Sequence, residues 1–257
     1  MRGEVSEQDL RSADELGLRQ PKMRALARAW ASIGAANAVR RAKPKVLWAV
    51  NRYLWQNKFD KYYGVETFTQ IPLVNLTIMS KEFDKVRDNR KYQSTPVATL
   101  KQMMRFLPRD LSDYVFVDIG SGKGKALLVA SDYNFKSIVG VEFASELHNI
   151  ACDNIKRYRS EKQRCHDIRS VLDDAAYFPI PGEKCVFYLY NPFRGSADVM
   201  ARVLSNISHS FIANPRKMYF LYLNPQNLHL FDSMNYVRPI AKRRFALRKG
   251  VIYETVL

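Results

Sequence analysis

The chain has 257 residues, of which 47% are hydrophobic and 12% aromatic, enough apolar material to bury a large core. This composition excludes a mostly disordered chain and a small disulfide-stabilised domain. The 41 Lys and Arg outnumber the 25 Asp and Glu, and the resulting net charge of +16 favours anionic partners. Three cysteines without a CxxC pair, no apolar run long enough to cross a bilayer and a polar N-terminus predict a cytoplasmic protein without a transmembrane segment.

The first 62 residues (1–62) are predicted to form a basic, helical N-terminal extension. Within them, residues 19–61 hold eleven bases and one acid, and apolar residues recur at helical spacing on either side of Pro44. One interpretation is a lid whose tryptophans cover the core or the active site. The other is a docking surface for an anionic partner such as nucleic acid, an acidic protein or an acidic lipid surface, and a lipid partner would make the protein peripheral to a membrane.

The remaining residues, 63–257, are predicted to form one α/β domain. Strands are predicted at 114–119, 137–142, 185–190 and 217–223, and helices at 123–133, 145–158 and 197–208. A further helix is predicted to begin at Thr95-Pro96, ahead of the first strand, with Thr95 as the N-cap and Pro96 at the first helical position. Strands that alternate with helices favour a doubly wound, mostly parallel sheet. The segment 244–256 predicts a C-terminal antiparallel hairpin at the edge of that sheet.

The most informative motif is the segment 115–125, in which an apolar strand runs directly into three glycines and then a helix. Gly120, Gly122 and Gly124 permit a tight turn that brings backbone N–H groups against a ligand, and the following helix N-terminus favours negative charge. The dinucleotide-binding fingerprint has its third glycine one position later, where this chain has Lys125, so the spacing disfavours NAD. A P-loop is excluded because no GxxxxGK[ST] occurs.

A second acid follows the glycine loop at the end of the next predicted strand. Glu142 ends this strand, at about the offset from Asp118 at which nucleotide-binding domains carry a ribose-binding acid. A carboxylate in this position can accept two hydrogen bonds from a ribose diol. We therefore favour a ribose-binding role for Glu142 over a solvated residue at the end of a strand.

These motifs resemble a known family. Asp118-Ile-Gly-Ser-Gly-Lys-Gly124, with Gly140-Val-Glu142 after it, resembles motif I and the following acidic strand of class I S-adenosylmethionine-dependent methyltransferases. Thr95-Pro96, Asp173-Asp174-Ala175 and 189–193 are similar to a bacterial group of these enzymes with mostly unassigned substrates. The glycine loop also resembles the Asp-x-Gly-Ser-Gly segment of protein-lysine methyltransferases of this fold. The resemblance covers about residues 59–257 and implies a Rossmann-like methyltransferase fold.

The resemblance implies S-adenosyl-L-methionine as the cofactor. The glycine loop would hold its methionine end, the acid of the second strand its ribose hydroxyls, and the Asp-Ala pair after it the adenine. The residues with an implied cofactor role are Asp118, Gly120, Ser121, Gly122, Gly124, Glu142, Asp174, Ala175 and Thr95. No metal site is expected, because the four histidines lack metal-ligand spacing.

The resemblance also implies a catalytic segment, Asn191, Pro192 and Phe193, beside the sulfonium at the end of the fourth parallel strand. Methyl transfer is an in-line displacement, so the enzyme mainly aligns donor and acceptor. The Asn191 side-chain and Pro192 backbone carbonyls could accept hydrogen bonds from an amine. Amino-group methyltransferases often carry two prolines here, so the single proline leaves the acceptor atom open between nitrogen and another nucleophile.

Two rival functions stay open beside a methyltransferase: a catalytically silent cofactor-binding scaffold that docks on an anionic surface, and a nucleotide-dependent oxidoreductase. The methyl acceptor also stays open between protein lysine, nucleic acid and an acidic small molecule. Lys123 and Lys125 could contact the carboxylate of the cofactor, but we expect them to be exposed residues of the first helical turn. A second basic cluster would support an anionic substrate if it shares a face with the N-terminal bases; its members are Arg238, Lys242, Arg243, Arg244, Arg248 and Lys249.

Overall fold

A computed structural model describes residues 58–69, 71, 76–77, 92–190, 193, 196–246 and 248–257. All of them lie within one compact unit, Gln56–Leu257. Most of the N-terminal extension, including residues 19–57, therefore lies outside the described residues, and both interpretations of it stay predictions. No helix in the described part of the chain is long and apolar enough to cross a bilayer.

The fold is a seven-stranded sheet with helices on both faces. The strands are β1 (Tyr114–Ile119), β2 (Ser137–Glu142), β3 (Ile168–Leu172), β4 (Lys184–Tyr190), β5 (Met218–Leu223), β6 (Val237–Phe245) and β7 (Arg248–Thr255). The helices are α1 (Val97–Met104), α2 (Lys125–Ala130), α3 (Ser145–Arg157), α4 (Ala197–Ala213) and α5 (Leu228–Asp232). The strand order is β3-β2-β1-β4-β5-β7-β6.

Strands β1 to β5 are parallel, and β7 is antiparallel to both of its neighbours, β5 and β6. This confirms the predicted α/β, doubly wound, mostly parallel sheet with a C-terminal antiparallel hairpin. The central strand β1 is buried along its whole length, because helices cover both faces of a parallel sheet. Its side chains alternate between two core clusters, with Val117 in the cluster that contains α4 and Phe116 in the cluster that contains α1 and α2.

Several predicted element ends were wrong, for local reasons. Thr95 does not cap α1: Pro96 is itself extended, with ψ of 116°, and occupies the N-cap, so the helix begins one residue later than predicted, at Val97. The helix predicted from residue 123 begins at Lys125, because Gly124 is left-handed with φ of 79°. Ser145 is the first residue of α3 and its hydroxyl donates to Glu146 instead of capping the helix.

Two strand segments were not predicted. Strand β3 is only partly buried and contains Arg169 and Ser170, so it lacks the apolar run by which the other parallel strands were found. The first half of β6 was missed because it contains Pro239 and exposed charges, which are typical of an edge strand. Both segments lie at the outer edges of the sheet.

Candidate active site

The carboxyl ends of the parallel strands form the edge at which the predicted site residues meet. Strand β1 ends just before the glycine loop, β2 ends at Glu142, and β3 ends just before Asp173. The backbone N–H of Asp173 donates to the Glu142 carbonyl over 3.0 Å, so the ends of β2 and β3 are joined. The strand order reverses between β1 and β4, and doubly wound sheets bind ligands at such a point.

The glycine loop requires backbone conformations that favour glycine. Gly120, Gly122 and Gly124 have φ angles of 75°, 55° and 79°, in the left-handed region where a side chain is strained. The N–H groups of Gly120 and Ser121 both donate to the Val141 carbonyl, at 2.9 and 3.0 Å. These bonds fold the loop over the end of β2 and bring it to Glu142.

Glu142 points into this loop. One carboxylate oxygen accepts the Gly122 N–H over 2.7 Å and the other accepts the Ala144 N–H over 3.0 Å. Burial nevertheless raises the pKa of Glu142 to about 7, since the two backbone hydrogen bonds only partly offset the loss of solvation. The carboxylate therefore holds the loop in place and keeps lone pairs for further donors.

Asp118 is a buried acid without a cationic partner among the described residues. Its side chain is 3% exposed, and within the described residues no group donates a hydrogen bond to its carboxylate. Burial and then the charge of Glu142 raise the pKa of Asp118 well above its ordinary value. A charged carboxylate without a donor is costly in a folded protein, and such groups concentrate at binding sites. An ammonium group would supply the missing partner.

Tyr92 packs directly on the glycine loop. A Cβ atom built on Gly122 would lie 2.2 Å from Cε2 of the Tyr92 ring, so the ring rests on the glycine backbone. The hydroxyl of Tyr92 donates to the Thr67 carbonyl over 3.2 Å, and burial raises its pKa. Thr95, three residues later, is buried.

Ser121 occupies space that Gly140 leaves open. A Cβ atom on Gly140 would lie 2.6 Å from the Ser121 Oγ, and Gly140 pairs with Asp118 across β1 and β2. The Ser121 hydroxyl is buried and has no hydrogen-bond partner in the described part of the chain. The predicted loop residues and the two acids are therefore neighbours at the ends of β1 and β2.

The expectation that Lys123 and Lys125 are exposed was wrong. Both are fully buried, and both reach toward residues 58–68, which we call the N-terminal strap. Lys123 binds Glu66, whereas the Lys125 ammonium lies 4.0 Å from Asp60 and 4.7 Å from the centroid of the Phe59 ring. Burial lowers the pKa of Lys125 to about 8. These two lysines therefore contact the strap and attach it to the loop, instead of contacting a cofactor carboxylate.

The strap is also clamped by Asn154 of α3. Its amide accepts the Glu66 N–H over 2.8 Å and donates to the carbonyls of Glu66 and Lys123, at 3.0 and 2.9 Å. Sequence reasoning missed this residue and the strap acids, because their partners lie far away in the chain and no spacing pattern joins them. The glycine loop is therefore held by two side chains: Glu142, which accepts the Gly122 N–H, and Asn154, which donates to the Lys123 carbonyl.

The predicted adenine-binding pair forms a turn after β3. The Asp174 carboxylate accepts the Ala176 N–H over 2.9 Å, so part of its hydrogen-bonding capacity closes this turn. Ala175 is buried in the core cluster that contains Phe193. Of the predicted catalytic segment, Phe193 is buried, while Asn191 and Pro192 lie outside the described residues.

No protein-family model matches the chain, and no curated protein matches it in sequence. Among solved structures, it is similar to an RNA methyltransferase from Salinibacter ruber in complex with S-adenosyl-L-homocysteine, at 16% identity over 63% of this chain and 94% of that one, with a TM-score of 0.45. A ribosomal protein L11 methylase from Lactobacillus delbrueckii subsp. bulgaricus matches at 13% identity over 62% and 78%, with a TM-score of 0.44. A SAM-dependent methyltransferase from Aquifex aeolicus matches at 12% identity over 61% and 89%, with a TM-score of 0.46.

Proposed function

We propose that the protein binds S-adenosyl-L-methionine at the carboxyl ends of β1 and β2 and transfers its methyl group to an acceptor. One observation carries the proposal: the Asp118 carboxylate is buried beside a glycine loop and has no donor within the described residues. The cofactor carries an ammonium group and a ribose diol a short distance apart. The two acids at this edge fit those two groups in charge and in hydrogen-bonding capacity.

Each of these residues has a distinct task in the proposed site. Asp118 pairs with the ammonium of the methionine moiety, and Glu142 accepts the ribose hydroxyls while its bonds to Gly122 and Ala144 keep the loop fixed. Asp174 and the Ala175 backbone face the adenine. The left-handed glycines let the backbone approach the ligand closely.

When bound, the cofactor would supply a methyl carbon on a sulfonium. A lone pair of the acceptor would form a bond to this carbon as the carbon–sulfur bond breaks. No charged catalyst is required, since the reaction removes charge from sulfur, and alignment of the two reactants can supply several kcal/mol. Asn191 and Pro192 follow β4 directly in the sequence and would orient the acceptor through their carbonyl oxygens. Phe193, the third residue of this segment, is buried. Whether nitrogen or another nucleophile accepts the methyl group stays open.

The test is incubation of the full chain with methyl-labelled S-adenosyl-L-methionine and fractions of a cell extract. We expect one class of molecule to take up the label. Asn191→Ala is expected to lower turnover and leave cofactor affinity nearly unchanged. Asn214→Ala is the matched control, since Asn214 is the exposed C-cap residue at the far end of α4 and its side-chain amide donates to the Gly182 carbonyl. This variant should change neither quantity.

Three results would change the assignment. Equal loss of turnover and affinity in Asn191→Ala would place this residue in the cofactor site. A chain that binds the donor but labels no fraction would favour the catalytically silent scaffold. Tight binding of NAD without a response to the methyl donor would favour an oxidoreductase.

A further inference from the structure

Three polar side chains lie in a row between α3 and the edge strand β3, and none of them has a role in the proposed cofactor site. His148 and Cys152 are four residues apart on α3 and therefore project from the same face of the helix. The Cys152 sulfur lies 3.6 Å from Nε2 of His148, and Nδ1 of the same ring lies 2.9 Å from the Ser170 hydroxyl of β3. The row joins a nucleophile, a base and a residue that orients the base.

The two ring nitrogens of His148 have different partners, and this decides how a proton moves along the row. Burial lowers the pKa of His148 from 6.5 and raises the pKa of Cys152, so at neutral pH the pair consists of a neutral imidazole and a thiol. The charged neighbours of the thiol, Lys156 and Asp153, shift its pKa in opposite directions. A neutral thiol donates to Nε2, and in that tautomer Nδ1–H donates to the Ser170 hydroxyl. The imidazole can therefore take the thiol proton as the sulfur reacts.

The other two cysteines of the chain lack this arrangement. All three are free thiols, but Cys165 and Cys185 are buried, whereas Cys152 is partly exposed. The buried thiols donate to backbone carbonyls, over 3.6 Å to that of Asp167 and 3.2 Å to that of Glu183. Neither has an imidazole as its hydrogen-bond partner in the described part of the chain. Cys152 is thus the thiol that combines access from solvent with a base beside it.

We propose that Cys152 is an oxidation site, at which a hydroperoxide converts the thiol to a sulfenic acid with His148 as the base. In this step a sulfur lone pair forms a bond to one peroxide oxygen while the O–O bond breaks. The thiol proton passes to Nε2 of His148 and from there to the departing oxygen. With hydrogen peroxide the products are the sulfenic acid and water, so the sulfur is oxidised and the peroxide is reduced.

The class of reactant follows from the size of the opening and from the base. A partly buried sulfur disfavours bulky electrophiles, whereas hydrogen peroxide is small and uncharged. The departing oxygen of a peroxide needs a proton, and a neutral imidazole that has just taken one from the thiol can supply it. Ser170 acts as a positioning residue, because it holds Nδ1 and so keeps Nε2 directed at the sulfur. The proposal goes beyond the methyltransferase function and does not depend on it.

The experiment treats the full, reduced chain with hydrogen peroxide in the presence of dimedone, which traps sulfenic acids. Peptide mass spectrometry follows the adduct on each of the three cysteines. The variants are His148→Gln, which removes the base, and Ser170→Ala, which removes the group that orients it. His209→Gln is the matched control, since it removes an exposed histidine from another helix, α4.

We expect the adduct at Cys152 of the wild-type chain to form at least about tenfold faster than at either buried cysteine. His148→Gln should slow this reaction on the order of 100-fold, and Ser170→Ala by a smaller factor. Cys165 and Cys185 should stay protected in every variant, which reports in the same sample that the fold is intact. Labelling of Cys152 no faster than of the two buried thiols would overturn the proposal, as would equal rates at Cys152 in His148→Gln and His209→Gln.

The dependence of the Cys152 rate on pH separates a base from a merely structural histidine. In His148→Gln the thiol must ionise on its own, so the rate should rise about tenfold between about pH 7 and 8. In the wild-type chain it should change much less over this range, because the pKa of His148 is lowered from 6.5 and the imidazole is already neutral. A wild-type rate that rises as steeply as that of the variant would show that His148 is not the base.

Discussion

The contact between Tyr92 and Gly122 gives a sharp prediction for the variant Gly122→Ala. Any residue other than glycine is strained at φ of 55°, which costs about 1 kcal/mol. The new Cβ atom would also lie 2.2 Å from the Tyr92 ring, so the ring must move, and overpacking of this kind costs about 1–3 kcal/mol. We therefore expect a loss of about 2–4 kcal/mol in the free energy of unfolding.

Gly64→Ala is the matched control for this prediction. Gly64 has a similar φ of 64°, but nothing lies within 4 Å of the position its Cβ would take. It should therefore cost only the backbone strain, about 1 kcal/mol. Urea unfolding of the wild-type chain and both variants measures the difference. Equal losses for the two glycines would refute the packing of Tyr92 on the loop, and Tyr92→Ala should remove most of the extra cost of Gly122→Ala.

Two further predictions concern the residues that fix the loop. The native pKa of Glu142, about 7, lies above that of an unfolded glutamate, 4.5, so the folded chain binds more protons between these values. Glu142 should therefore contribute up to about 3 kcal/mol of stability as pH falls from 8 to 5, beside the contribution of Asp118, whose pKa is also raised. Glu142→Gln should make the rise of thermal stability with falling pH less steep, and an unchanged slope would contradict the raised pKa of Glu142. Asn154→Ala should cost about 3 kcal/mol, because Glu66 and Lys123 lose buried hydrogen bonds, whereas the exposed Asn214→Ala should cost under about 1 kcal/mol in the same assay. Equal costs would show that Asn154 does not hold the strap.

Local patterns predicted the centre of the fold well. The apolar runs of β1, β2, β4 and β5 lie in the middle of the sheet, where both faces are buried and the sequence is uniformly hydrophobic. The glycine loop and Glu142 were also predicted, because the backbone geometry of the turn and the register of neighbouring strands dictate their spacing. The edge strand β3 was missed since a partly exposed strand has no such signal.

The surroundings of the loop could not be predicted from spacing. Lys123 and Lys125 look like ordinary residues of a first helical turn, and only the strap, about sixty residues earlier in the chain, buries them. Likewise, Asn154 has the appearance of a polar residue on an amphipathic helix. Burial by a distant segment is a property of the tertiary structure, so no local pattern reveals it.

The central claim is that Asp118 binds the ammonium of S-adenosyl-L-methionine, and calorimetric titration of the cofactor into the wild-type chain and Asp118→Asn tests it most directly. We expect micromolar binding to the wild-type chain, and a loss of about 10- to 100-fold in the variant, since a charged hydrogen bond contributes about 1.5–3 kcal/mol. The variant should unfold no more easily than the wild-type chain without ligand, because it removes a buried charge. No binding to the wild-type chain, or equal affinity in the two proteins, would contradict the account.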